Sequence, residues 1–318
     1  MNNTPIDLSL IPAPDIVETL SFEALFAARL ADFQSRAPDH TAPLESDPAY
    51  KLLETSAYRE LVIRQRINDA ALGVLLAEAE KADLDQVAVR YDVVRLLITP
   101  ADPTAIPPVD AVYESDTAFR RRIQLAFEGL STAGSENSYI FHGLSASADV
   151  ADIKVDTVEF HLNESGGVVI DYGAHLATPE PGMVAITVLS RLGAGVADGA
   201  LLAVVDAALR ADKVRPLTDR LTVRSVAVID YAVSATLYFY DGPSSAVALQ
   251  AATDALNAYI AASRKIDEDI TIAGIYAALK QPGVQNVILT SPVADVAIGN
   301  YQVSNCTGVT LTNGGVSV

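Results

Sequence analysis

A chain of 318 residues that is half hydrophobic has room for two or three modest cores. Its 40 acidic against 22 basic side chains leave a formal charge of -18, which repels phosphate backbones and argues against nucleic acid as a ligand. A single cysteine, Cys306, excludes an intramolecular disulfide and any multi-thiolate metal site.

The first twenty residues are interrupted by Asp7, Pro12, Pro14, Asp15 and Glu18, so no signal-like apolar stretch opens the sequence. No apolar run reaches the roughly 18 residues of a membrane span, and a soluble protein is expected. After Ser21, a suitable N-cap, Phe22, Leu25, Phe26, Leu30 and Phe33 mark one face of a helix. Pro38, Pro43 and Pro48 punctuate the stretch beyond that helix, with Asp47 as the cap of the next helix and Pro48 at its first position.

Residues 47–95 read as one long helix followed by a short one. Between Ala49 and Lys81 there is no proline and the only glycine is Gly73, so local propensity favours helix almost throughout. Tyr50, Leu53, Ala57, Leu61, Ile67, Ala71 and Leu75 recur on one face, and Val62, Ile63, Leu72, Val74 and Leu76 widen it beyond a two-helix seam. Such a helix requires several partners. Arg59, Arg64 and Arg66 are either solvated or docked on an acidic neighbour, and they matter more if the helix lies in a bundle, where charge beside the seam selects partner and register.

A proline-rich run, TPADPTAIPPVD, is expected to act as a stiff extended spacer and a domain boundary. From Ser115 a second helical pair carries Phe119, Ile123 and Phe127, then Tyr139, Ile140 and Leu144, with Gly129 and Gly134 framing the turn. The period then changes to strands over 149–160, 166–172 and 184–188, a helix over 200–211 and a strand over 221–228. In the last third Val233, Ala235, Leu237 and Phe239 alternate with polar neighbours, helices follow over 244–263 and 271–280, and strands over 284–290 and 303–318 close the sheet. The expected class is α+β, with a helical bundle-forming segment over 1–98, a middle α+β domain over 99–226 and a C-terminal α+β domain over 227–318.

Chemistry is harder to find. Gly193, Gly195 and Gly199 follow a strand and precede a helix, but the spacing is GxGxxxG and no acidic residue ends a later strand, so a plain turn is the better reading of this possible nucleotide site. His161, Asp171 and His175 could hold a metal only if adjacent strands brought them together; surface or capping roles are expected for these and for His40 and His142. No GxSxG elbow is present. The consecutive Arg120, Arg121 and Arg122 fan around a helix, either solvated or docked on an acidic neighbour. No catalytic, cofactor or metal site is assigned.

Several segments in order resemble the baseplate assembly protein J family of contractile-tailed bacteriophages and related contractile bacteriocins: DLSLIPAPD (7–15), KLLETSAYRELVIRQRINDAA (51–71), ADLDQVAVRY (82–91), ESDTAFRRRIQLAFEGLSTAGSENS (114–138), VRPLTD (214–219) and CTGVTLTNGG (306–315). Around 191–199 the sequence departs from the Gly-Asp-Gly turn of that family. The resemblance implies a non-enzymatic baseplate wedge subunit, assembled in the bacterial host cytoplasm and resident in the virion tail baseplate. It implies that two copies join one copy of a second wedge protein through a shared N-terminal bundle, and that six wedges surround the tail hub near sheath-proximal and tail-fibre-linked proteins. C-terminal regions then pair between copies into a ring that rearranges on sheath contraction. The expected interface is Tyr50, Leu53, Ala57, Leu61, Arg64, Ile67, Ala71 and Leu75. A nucleotide-dependent enzyme using the 193–199 turn and an unrelated soluble adaptor are the competing classes.

Overall fold

The computed structural model describes every residue except 1–5, 13, 40–43, 132, 243–244 and 317–318. His40 lies outside the described residues. Two compact units emerge, one formed by Met1–Arg95 with Ser115–Gln124, the other by Leu96–Glu114 with Leu125–Val318.

The first unit is helical. Helix α1 (Phe22–Arg36) starts where the Ser21 hydroxyl accepts the Ala24 N–H at 3.3 Å. Helix α2 (Pro48–Leu72) starts at Asp47, whose carboxylate accepts the Ala49 N–H at 2.9 Å, with Pro48 at the first position as expected. It ends at Leu72, earlier than the unbroken propensity up to Lys81 suggests. At Gly73 a Cβ would lie 3.0 Å from Asp83 Oδ2, so the chain turns where α3 (Lys81–Val89) comes close. Leu75 therefore sits in the turn after the helix.

The proline-rich run is not an extended spacer. Strands β1 (Leu97–Thr99) and β2 (Val112–Tyr113) pair antiparallel, and within the loop Asp102 and Val109 exchange backbone hydrogen bonds of 2.9 and 3.0 Å. Asp102 also accepts the Thr104 N–H at 2.9 Å, so local side-chain bonding turns the backbone that proline composition alone would leave extended.

Helix α4 (Asp116–Leu125) buries Phe119 and Ile123, while Phe127, expected on the same face, is 68% exposed because the helix has ended before it. Helix α5 (Glu136–Ala146) buries Tyr139, Ile140 and Leu144 against a three-stranded sheet. That sheet has the order β3 (Val150–Thr157), β6 (Met183–Ser190), β7 (Arg220–Ser225), the first pair antiparallel and the second parallel. Between β3 and β6 runs a separate hairpin, β4 (Glu159–Leu162) with β5 (Val168–Tyr172). Helix α6 (Gly199–Leu209) covers the sheet through Leu201, Val205 and Leu209.

The C-terminal sheet has the order β10 (Gln302–Val316), β8 (Ala227–Phe239), β9 (Val284–Ser291). The alternation of β8 is realised: Tyr231, Val233, Ala235, Leu237 and Phe239 are buried beneath α7 (Ser245–Ala262) and α8 (Ile272–Leu279). A small cluster of Leu189, Val226, Ile266 and Val303 joins the two sheets' cores. Buried Asp152 of β3 accepts the Ile266 N–H at 3.1 Å beside it, and Lys154 pairs with Asp267 at 3.2 Å. The mixture of helices with parallel and antiparallel strands is an α+β fold.

Candidate assembly surface

The residues expected to form an interface lie along α2, except Leu75 in the turn after it, and the structure divides them. Tyr50 meets Phe26 of α1 edge to face with ring centroids 4.8 Å apart, and Ala57 is fully buried. Arg64 bonds Glu18 at 2.7 Å and Glu60 at 2.8 Å, while Arg29 of α1 also donates to Glu60. These guanidinium bonds, Arg29 first, hold the Glu60 carboxyl below the usual carboxylate range. Further along, Asn68 is buried and clamps the backbone of Glu18. Leu53, Leu61, Ala71 and Leu75 are half-buried. This side of α2 is the seam of a hairpin within the chain.

Successive helical residues rotate by about 100°, which sets Leu52, Val62 and Ile63 on the side away from Ala57 and Asn68, with Tyr58 and Ile67 at its margins. Leu52 is 75% exposed, Ile63 59%, Tyr58 58% and Ile67 51%. Arg59 and Arg66, also exposed, lie between them. Sequence periodicity marked Val62 and Ile63 as apolar but not as the outward side, because α2 is apolar on both and nothing local says which one the chain itself covers.

The other candidates are absorbed by structure. Arg120 donates to the carbonyls of Leu76 and Ala79 at 2.7 and 2.6 Å, and Arg122 to that of Val94 at 3.2 Å. Both therefore anchor turns of their own unit, and Arg120 also lies in the field of the Asp116 carboxylate, which, against its desolvation, the Lys81 N–H, Arg95 and then Arg120 hold below the usual range. Arg95 pairs with Asp85 and Asp116, each at 2.7 Å, over the face of Phe119. The sequence signal that could have located the Arg120 and Arg122 contacts is weak, since they span 28 to 44 residues.

The glycine turn does follow β6 and precede α6, but Asp198 caps that helix, its carboxylate accepting the Leu201 N–H at 2.8 Å. A carboxylate thus sits where a phosphate would have to bind. Strands β4 and β5 do bring His161 Nδ1 to 2.8 Å from Asp171, whereas His175 packs on Tyr301 at 4.5 Å. Among the described residues no three His, Cys, Asp or Glu gather as a metal site. His142 Nε2 lies 3.0 Å from the Gly129 carbonyl, a structural tie. Among the described residues no helix is long and apolar enough to cross a membrane.

Comparison with known proteins fits this framework-like character. The Baseplate J-like N-terminal domain matches residues 45–102, which contain all of α2 and α3. The Baseplate J-like protein C-terminal domain matches residues 231–312, most of the β10-β8-β9 sheet. The chain is 47% identical over 317 residues to "Baseplate protein J" of Escherichia phage P2, covering 98% of both sequences. Among solved structures, a chain of the cryo-EM baseplate of the anti-feeding prophage aligns with a TM-score of 0.41 and 14% identity, over 63% of this chain and 43% of that one. Near-complete coverage at the identity shared with the phage P2 protein leaves no large segment to another architecture: the chain belongs to the baseplate J-like family.

Proposed function

We propose that this chain is a structural subunit of a contractile phage tail baseplate, working by assembly with other baseplate proteins. The observation that carries the reading is the 47% identity with the phage P2 baseplate protein along 98% of the chain. The outward side of α2, with Leu52, Val62 and Ile63 exposed within the N-terminal matched domain, supports it as the surface that meets partner chains. Ile67, among the residues expected at the interface, lies at its margin, while Tyr50, Leu53, Ala57, Leu61, Arg64 and Ala71 shape the hairpin that presents it, with Leu75 in the turn beyond.

In this reading residues 1–98 contribute the assembling helices, 99–226 the middle domain and 227–318 the contacts between copies. Two copies meet a second wedge protein, near the tail hub, and the ring they build rearranges on sheath contraction. Binding, rather than turnover of a substrate, is the work of the protein.

Complementation tests the reading. A phage lacking this gene, supplied with the wild-type chain, is expected to form tails with the chain at their tips, and chain bearing Ile63→Asp is expected to leave tails without baseplates. Recovery of complete tails without the chain would refute it.

A further inference from the structure

The hairpin of β4 and β5 has one apolar face. Its register sets Phe160 opposite Ile170 and Leu162 opposite Val168, so these four side chains share a side, while His161 and Asp171 pair at 2.8 Å on the other. At the base of the apolar face Ile170 packs on buried Val158, Ala174 and Ala185. Beyond that base the face is bare, with Phe160 45% exposed, Val168 52% and Leu162 63%. The turn joining the strands is fixed, since Asn163 Oδ1 accepts the Ser165 and Gly167 N–H groups at 3.1 and 2.7 Å and Gly166 takes a φ of 77°. A two-stranded ribbon this short is marginal in water unless its apolar face is packed. The hairpin is thus shaped in advance for a contact that its own chain makes only at the base.

Phe160 also lines a groove of about 570 Å³, with Val158 and Met183 among its apolar residues and Glu136, Asp156 and Asp219 among its polar ones. Lys154, the one cation among the described lining residues, is paired with Asp267 at 3.2 Å. Arg215 donates to the Asp219 backbone carbonyl at 3.0 Å, while the Asp219 carboxylate accepts from Tyr139 at 2.7 Å and Thr218 at 3.3 Å. Glu136, in the first turn of α5, is exposed. An apolar face therefore runs into a wall of carboxylates. In a chain of net charge -18 such a surface disfavours a second copy and complements an apolar segment of another protein that carries positive charge.

We propose that the bare face of the β4–β5 hairpin, with the groove beside it, receives an apolar segment bearing a lysine or arginine from a different protein of the baseplate. Apolar side chains of that segment cover Phe160, Leu162 and Val168, which completes the packing the hairpin lacks. Its cation lies against Glu136 and Asp219, where the carboxylates set which segment is accepted. The inference rests on the reading of this protein as an assembling structural subunit and names one of its contacts, separate from the outward side of α2.

Photocrosslinking and thiol labelling of the full-length chain test it. With p-benzoylphenylalanine in place of Phe160, the chain in phage-producing cells is expected to crosslink to a different protein, at an apolar stretch containing lysine or arginine. In purified tails, a maleimide is expected to label Leu162→Cys in a Cys306→Ser chain about tenfold more slowly than in the free chain. Glu136→Lys is expected to lower incorporation into tails about tenfold, with the circular dichroism of the free chain unchanged. No crosslink, a crosslink only to a second copy of this chain or to an acidic stretch, equal labelling in tails and free chain, or wild-type incorporation of Glu136→Lys would each overturn the docking surface. The expected crosslink from a chain absent from purified tails would instead sink the baseplate reading alone.

Discussion

Asn68 and Glu18 hold each other by reciprocal hydrogen bonds, the Glu18 N–H donating to Asn68 Oδ1 at 3.1 Å and Asn68 Nδ2 donating to the Glu18 carbonyl at 2.9 Å. Fifty positions apart in sequence, the two residues fix the segment preceding α1 against the C-terminal end of α2. Replacing Asn68 by Ala strands both backbone groups and is expected to cost about 1–3 kcal/mol. Amide exchange at Glu18 reads the effect directly, and unchanged protection there would show that the clamp contributes nothing.

Substitutions on the two sides of α2 are expected to act differently. Ala57→Asp buries an unpaired carboxylate in the hairpin seam and should destabilise the helical unit by roughly 3–5 kcal/mol. Ile63→Asp, on the exposed side, should leave stability within about 0.5 kcal/mol of wild type yet abolish co-purification with partner chains. Thermal melts beside pull-downs distinguish them.

Tyr139 is buried and donates to Asp219 Oδ2 at 2.7 Å. Burial, reinforced by that carboxylate, pushes its phenol above the ordinary value of 10.0. A phenol whose folded pKa is raised stays protonated in the native state longer than in the unfolded chain. Its contribution is complete below pH 10.0 and is lost as pH rises further. Tyr139→Phe should cost about 1.5–3 kcal/mol at neutral pH and flatten the alkaline fall in stability. Denaturant titrations on both sides of pH 10.0 measure both effects.

Asp152 reaches from β3 to the Ile266 N–H beside the cluster of Leu189, Val226 and Val303. Asp152→Ala leaves that buried donor without its partner, at an expected cost of about 1–3 kcal/mol. Limited proteolysis near residues 264–270 should accelerate in the variant, and equal rates would count against a role for this tie.

Local rules carried much of the fold. Ser21, Asp47 and Pro48 begin their helices as capping chemistry requires, and the two-faced alternation of β8 appears in its burial. Family membership was legible because matching segments ran in order along nearly the whole sequence. What local patterns could not supply was the identity of contacts distant in sequence. Arg120 reaches carbonyls over 40 positions away, and Asp102 with Val109 close a loop whose prolines suggest only extension. The surface of α2 was legible as apolar, but its division into seam and outward side depends on where Phe26, Arg29 and Glu18 fall in space.

The helical unit takes its residues from two stretches, since Ser115–Gln124 belongs with Met1–Arg95. A gene fragment stopped at residue 98 would therefore omit buried Phe119, together with the guanidinium groups that grip the Leu76, Ala79 and Val94 carbonyls. Recombinant work on these helices needs a cloning boundary beyond residue 124, or the α4 segment supplied as a separate peptide, before binding to any partner can be judged.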